Sequence, residues 1–203
     1  IESEKTDLSG YRGTERTTGV IGTLGATQEL TNGTVGISFD QSQNTSGSRS
    51  TLQVSRAMDL PSGSLALSLG ASRGDSGKTT AIGSITYNHD LENGSLSARL
   101  SQSVSTNSDD EEVEARNFLL RLSHELTPVS GVSLSVSYAD LNNLQDSGGD
   151  RTRSQIRAAY SHDLTRDWEL SGGYEYTQLG RPAGTAKENA VFLTIQRQFL
   201  FRP

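Results

Sequence analysis

Residues 52–71 read Leu52-Gln-Val-Ser-Arg-Ala-Met-Asp-Leu60-Pro-Ser-Gly-Ser-Leu65-Ala-Leu-Ser-Leu-Gly-Ala71, and the fold follows from how this stretch alternates. Leu52, Val54, Met58 and Leu60 lie two apart, with Arg56 among them, and Leu65, Leu67, Leu69 and Ala71 continue the pattern after Pro61-Ser62-Gly63. The residues between them are Gln53, Ser55, Ala57 and Asp59, then Ala66, Ser68 and Gly70. A period of two puts successive side chains on opposite faces of an extended strand. Pro, Ser and Gly between two such runs supply the backbone of a tight turn. The stretch predicts a β-hairpin with one apolar face and one polar or small face.

Working outward, the same phrase of an acid, a leucine and a turn recurs along the chain. It reads Glu29-Leu30-Thr-Asn-Gly, Asp59-Leu60-Pro-Ser-Gly, Asp90-Leu91-Glu-Asn-Gly, Glu125-Leu126-Thr-Pro-Val-Ser-Gly and Asp163-Leu164-Thr-Arg-Asp-Trp. Asn-Gly and Ser-Gly are strong hairpin closers. Strands entering and leaving each turn alternate as the first hairpin does, as in Ile156, Ala158, Tyr160, His162 and in Val132, Leu134, Val136, Tyr138. A last incoming strand carries Val191, Leu193, Ile195, Arg197, Phe199 and Phe201 on one face. That makes six incoming and five outgoing strands. The connections at the other end, 41–50, 73–78, 105–112, 141–150 and 179–188, are longer and more polar, and are expected to be loops.

The chain has 203 residues, of which 32% are hydrophobic and 21% charged. Its mean hydropathy of −0.51 is that of a soluble protein. No stretch approaches the roughly 18 consecutive apolar residues of a membrane-spanning helix. Strands of this length, with short turns at one end and long polar connections at the other, instead describe a transmembrane β-barrel, in which only every second residue meets lipid. A soluble β-sandwich would bury the same apolar faces against each other. The strand length, the up-and-down regularity and the scarcity of bulky residues on the second face favour the barrel. The fold class expected is therefore all-β, an up-and-down antiparallel barrel of about twelve strands, an even count being usual for single-chain bacterial barrels. Residues 1–15 form a polar segment or a degenerate first strand, and 16–203 form the barrel.

Cysteine is absent, which removes disulfides and thiolate chemistry. The formal charge of −6 is concentrated in Asp109, Asp110, Glu111, Glu112 and Glu114, and no basic footprint for nucleic acid is present.

With these features the chain resembles Gram-negative bacterial outer-membrane β-barrels of the porin-like kind, from about Arg16 to the aromatic strand Val191–Phe201. It departs from them in continuing past Phe201 to Arg202 and Pro203. The resemblance implies an outer-membrane location, short turns on the periplasmic side and loops outside. It implies outer-membrane lipid and lipopolysaccharide as surroundings, with association into homo-oligomers or a larger envelope complex open. It implies no cofactor and no metal.

The alternation then sorts the side chains. Leu67, Leu100, Leu120, Leu134, Leu193 and Phe199 are expected to face lipid. The repeat acids Glu29, Asp59, Asp90, Glu125 and Asp163 fall on the polar face beside the turns, and a rim of carboxylates there would favour cations by its summed field. Arg99, Arg121, Arg153 and Arg157 also point inward, with Glu169 and Glu175 placed to pair with them. His89, His124 and His162 occupy one repeat position on the lipid side and read as interfacial residues, as do Tyr87, Tyr160 and Trp168 near the turns and Tyr138, Tyr174 and Tyr176 towards the loops. An enzyme is not expected: His89 followed by Asn93-Gly94 is a faint echo of an outer-membrane phospholipase, with no partnered serine. The acidic run 107–114 is a candidate for divalent cations shared with lipopolysaccharide. The function expected is a narrow polar pore for small hydrophilic solutes or an exported polymer, the alternative being a non-conducting barrel that anchors a larger assembly.

Overall fold

The computed structural model describes residues 5–8, 15–18, 20–44, 47–75, 77–106, 112–144 and 149–197, nearly all of them in antiparallel strands. β1 (Lys5–Leu8) and β2 (Glu15–Thr18) pair only with each other. The remaining strands are β3 (Val20–Leu30), β4 (Gly33–Asn44), β5 (Gly47–Leu60), β6 (Gly63–Gly74), β7 (Thr79–Leu91), β8 (Gly94–Thr106), β9 (Glu112–Thr127), β10 (Ser130–Asn143), β11 (Arg151–Asp163), β12 (Trp168–Arg181) and β13 (Gly184–Arg197). They make one 11-stranded sheet in which every strand pairs with its sequence neighbours. β3 and β13 are its edges and are not paired with each other.

The register carries the sequence alternation across the whole sheet. Leu67 stands between Arg56 and Ile85, Leu100 between Ile85 and Phe118, and Leu134 between Leu122 and Ala158. On the other face Ser68 lies between Ser55 and Ser84, and Ser135 between Arg121 and Arg157. Among the described residues no apolar side chain is buried, and the buried ones are Ser72, Glu112, Glu114 and Thr177. Large apolar side chains stand in the open instead, Leu69 at 72% and Val191 at 84% exposure. A soluble monomer does not leave a contiguous apolar surface of this extent against water. A sheet bathed on that face by hydrocarbon does so without penalty.

The turn end explains the repeat. Thr31-Asn32, Pro61-Ser62, Glu92-Asn93 and Pro128-Val129 are two-residue turns, and 164–167 is a four-residue one. Gly33 and Gly63 hold φ of +125° and +146°, and a Cβ on either would run into the backbone carbonyl of Ala57 or Asn88 in the next hairpin. Only glycine meets both demands. The repeat acid acts here through its backbone. The N–H of Asp59 donates to the carbonyl of Asn32 (3.1 Å), that of Asp90 to Ser62 (2.9 Å), that of Glu125 to Asn93 (2.7 Å) and that of Asp163 to Val129 (2.8 Å). Each unit is thereby stitched to the turn of the one before.

At the opposite end the structure departs from the expectation of loops. β4 runs to Asn44 and β5 begins at Gly47, while Arg181 and Gly184 close a two-residue turn between β12 and β13. Backbone ladders need no apolar side chains to continue, so hairpins that look like polar loops in sequence persist as strands. Elsewhere the strands stop further apart: β6 ends at Gly74 and β7 begins at Thr79, β8 ends at Thr106 and β9 begins at Glu112, and β10 ends at Asn143 and β11 begins at Arg151. Phe199, Phe201, Arg202, Pro203 and the acids Asp109, Asp110 and Glu111 lie outside the described residues.

Candidate functional site

The polar face is built from the residues that alternate with the leucines of the apolar face, and its chemistry changes from the turn end upward. At the turn end stand Glu29, Asp59, Asp90, Glu125 and Asp163, opposite Thr34, Ser64, Ser95, Gly131 and Glu169 on their hairpin partners. All five carboxylates are exposed. None forms an ion pair among the described residues.

Beside and above the acids lies a floor of hydroxyls. Ser68 and Ser84 are linked at 2.8 Å, Ser95 and Ser123 at 3.0 Å, and Asn88 bonds both Ser64 and Ser97. Short hydroxyl side chains hydrogen-bonded across strands keep the face polar while leaving space above it.

The four arginines of the polar face are all exposed, and the structure treats them unequally. Arg157 pairs with Glu175 at 3.5 Å, as the sequence anticipates, and Glu175 also accepts from Gln155 at 2.7 Å. Glu169 pairs with no arginine among the described residues. The guanidinium of Arg157 also lies 4.2 Å from the ring centre of Phe192. Gly173 separates the two across β12, and a Cβ there would strike the Phe192 ring. Among the described residues Phe192 is the one aromatic on this face; its position between Val191 and Leu193 is legible in sequence, but a lone inward phenylalanine gives no hint of its arginine partner. Arg99 lies between Thr86 and Leu119, Arg121 between Ser97 and Ser135, and Arg153 between Ala139 and Leu179.

At the far end β7 stops pairing with β8 at Gly83 and Gln102, while β8 and β9 go on together to Thr106 and Glu112. The projecting end of that hairpin reaches Arg49 on β5. Arg49 donates to Ser72 Oγ (3.1 Å), Thr106 Oγ1 (3.2 Å) and Glu112 Oε1 (3.1 Å), with side-chain exposures of 14% for Arg49 and 7% for Glu112. Beside it the Ser48 hydroxyl and N–H donate to Asp75 at 2.5 and 2.9 Å and hold its carboxyl below the usual carboxylate range. Residues 48 and 49 fall within what the sequence suggests is a loop, which hides this cluster from any face assignment.

On the apolar side Leu67, Leu100, Leu120, Leu134 and Leu193 share one face, and Leu100 and Leu193 are exposed on it. His89 stacks on Tyr87 and His162 on Tyr160, at ring separations of 6.0 and 6.4 Å. Trp168 lies 5.3 Å from the Arg197 guanidinium. No group of three or more metal-ligating side chains occurs among the described residues.

A protein-family profile described as "Gram-negative porin" matches residues 1–181. No curated protein matches significantly. Among solved structures, a chain from work described as "Unveiling the Mechanism Behind the in-meso Crystallization of Membrane Proteins" aligns at 14% identity and a TM-score of 0.35, covering 93% of this chain and 78% of that one.

Proposed function

Since the chain belongs to the Gram-negative porin family and is thus an outer-membrane β-barrel pore protein of bacteria, we propose that its polar face lines a narrow, water-filled path for small hydrophilic solutes, with the acid rim biasing passage towards cations. The observation that carries this reading is the placement of the five repeat acids. They are exposed, on one face, at one end, and without an ion-pair partner among the described residues. Five uncompensated carboxylates beside one aperture concentrate cations and repel anions in a way that weakens with salt.

The arginines higher on the face do not cancel that bias at the rim. Arg157 is already engaged by Glu175, and the others lie on strand positions away from the turns. The hydroxyl floor gives a hydrated solute hydrogen-bond partners along the way without a fixed binding geometry, which suits passage better than retention. Single-channel recording from the protein folded into a planar bilayer, under a salt gradient, tests the reading. Discrete current steps with a cation-selective reversal potential are expected. Silence from a barrel shown to be folded and inserted, or an anion-selective potential, would overturn it.

A further inference from the structure

One cavity on the polar face has ends of opposite charge. It has a volume of about 380 Å³, and its lining includes Ser133, Arg157, Ser161, Glu169, Ser171 and Phe192. That is at the small end of ligand pockets, which start near about 300 Å³. The ladder between β11 and β12 orders its residues by height. Asp163 stands beside Glu169 nearest the turns, Ser161 beside Ser171 in the next row, Ala159 beside Gly173 above them, and Arg157 beside Glu175 above those.

At the upper end Arg157 leans over Gly173, and the ring of Phe192, opposite Gly173 on β13, holds its guanidinium there. Glu175 offsets the charge of this guanidinium without filling its donors. The contact of Arg157 Nη1 with Glu175 Oε2 is 3.5 Å, and Glu175 Oε1 is taken by Gln155. A charge-assisted hydrogen bond is shorter, roughly 2.8 Å. With its side chain 51% exposed, Arg157 offers the cavity the planar fork of N–H groups that suits a carboxylate. At the lower end Asp163 and Glu169 are neighbours, and neither has an ion-pair partner among the described residues. Like charges opposite each other in a ladder repel, and an ammonium between them relieves both. Glu125, also on the lining, is three strands from β12. That is about 14 Å at the usual strand spacing, too far to share the same ammonium.

Dimensions set the length of the ligand. From Glu169 up to Gly173, the level of the guanidinium, is about 14 Å along β12. An extended chain of two to three residues spans about 7–11 Å, and a hydrogen bond of about 2.9 Å at each end brings it to that length. Between the two ends stand only hydroxyls and small side chains, which pair with peptide groups and leave them room. Resting on the reading of the polar face as a solute path, we propose that this cavity is a station for short zwitterionic peptides, with the ammonium between Asp163 and Glu169 and the carboxylate on Arg157. Contacts between such open charges are weak, so binding is on the order of millimolar and the solute leaves again.

The test is a saturation-transfer NMR titration of triglycine against the folded protein in detergent micelles, a measurement that requires no conduction. Acetyl-triglycine amide, which has the same net charge of zero but neither end charge, serves as the comparison. Triglycine should bind roughly tenfold more tightly, a factor of about three for each exposed charge contact. Arg157→Gln should weaken triglycine roughly threefold and leave the capped peptide unaffected, and Asp163→Asn combined with Glu169→Gln should do the same. Equal binding of the two peptides by the unmodified chain would overturn the site, whether or not any variant folds. So would a loss in Arg157→Gln that is as large for the capped peptide as for triglycine. Bilayer recording separates this proposal from the one beneath it. A protein that conducts but binds no triglycine refutes the station alone, while one that binds triglycine and stays silent in the bilayer refutes the path and leaves the site standing.

Discussion

Placing an arginine at position 134 and, separately, at 133 separates a membrane wall from a buried sandwich face within one strand. Leu134 is the fifth residue of β10, flanked by Leu122 and Ala158, and Ser133 beside it points the other way between Ser123 and Ala159. Four residues at about 3.4 Å, tilted by roughly 45°, put Leu134 about 10 Å above the turn end of the strand. The apolar band of such barrels is about 25 Å tall, so the side chain lies near its middle. An arginine on the lipid face at that depth costs about 2–4 kcal/mol, which is a shift of roughly 30- to 1,000-fold in the folding equilibrium. The same residue at 133 enters a hydroxyl-lined aqueous face and should cost under about 1 kcal/mol, the usual range for surface changes. Urea titration of folding into phosphatidylcholine vesicles, followed by tryptophan fluorescence from Trp168, measures both. Equal costs for Leu134→Arg and Ser133→Arg would refute the assignment of faces, and a larger cost at 133 would invert it.

Other consequences follow from the same geometry. Replacing Glu29, Asp59, Asp90, Glu125 and Asp163 together by Gln or Asn should move the reversal potential in a salt gradient towards zero, and the change should shrink as salt rises; an unmoved potential removes the rim from selectivity. Gly63→Ala should destabilise by more than about 1 kcal/mol, because its φ of +146° and the Asn88 carbonyl both oppose a Cβ; unchanged refolding in urea would contradict this. The Ser48–Asp75 link contributes only while Asp75 is ionised. With its folded pKa lowered from 3.8, that contribution is complete above the ordinary value and is lost as pH falls through the folded one, so faster amide exchange at Ser48 should appear only at strongly acid pH. Arg49→Ala should speed exchange at 103–106 and 112–116, the hairpin end that β7 does not hold, and leave 95–101 unchanged.

How much of this was legible in the sequence depends on which atoms carry the information. Side chains that alternate with period two report their face directly, so the eleven strands, the turn positions and the common face of the repeat acids could be read from leucine spacing alone. The ends of the strands at 41–50 and 179–188 could not, because Gln, Ser, Asn and Lys pair as well in a ladder as they solvate in a loop. The Arg49 cluster stayed hidden for the same reason, and the Phe192–Arg157 contact because it joins two strands that are not neighbours. Least legible is closure. β3 and β13 each present a row of backbone groups that the sheet leaves unpaired, and each such group costs several kcal/mol in hydrocarbon. Successive strands reverse direction, so β3 and β13, ten steps apart, run the same way. Antiparallel closure therefore takes an odd number of further strands, whereas a direct seam between the two edges would be parallel. The parity of that requirement follows from the count of six incoming and five outgoing strands, but which backbone completes the seam is nothing the alternation of side chains reports.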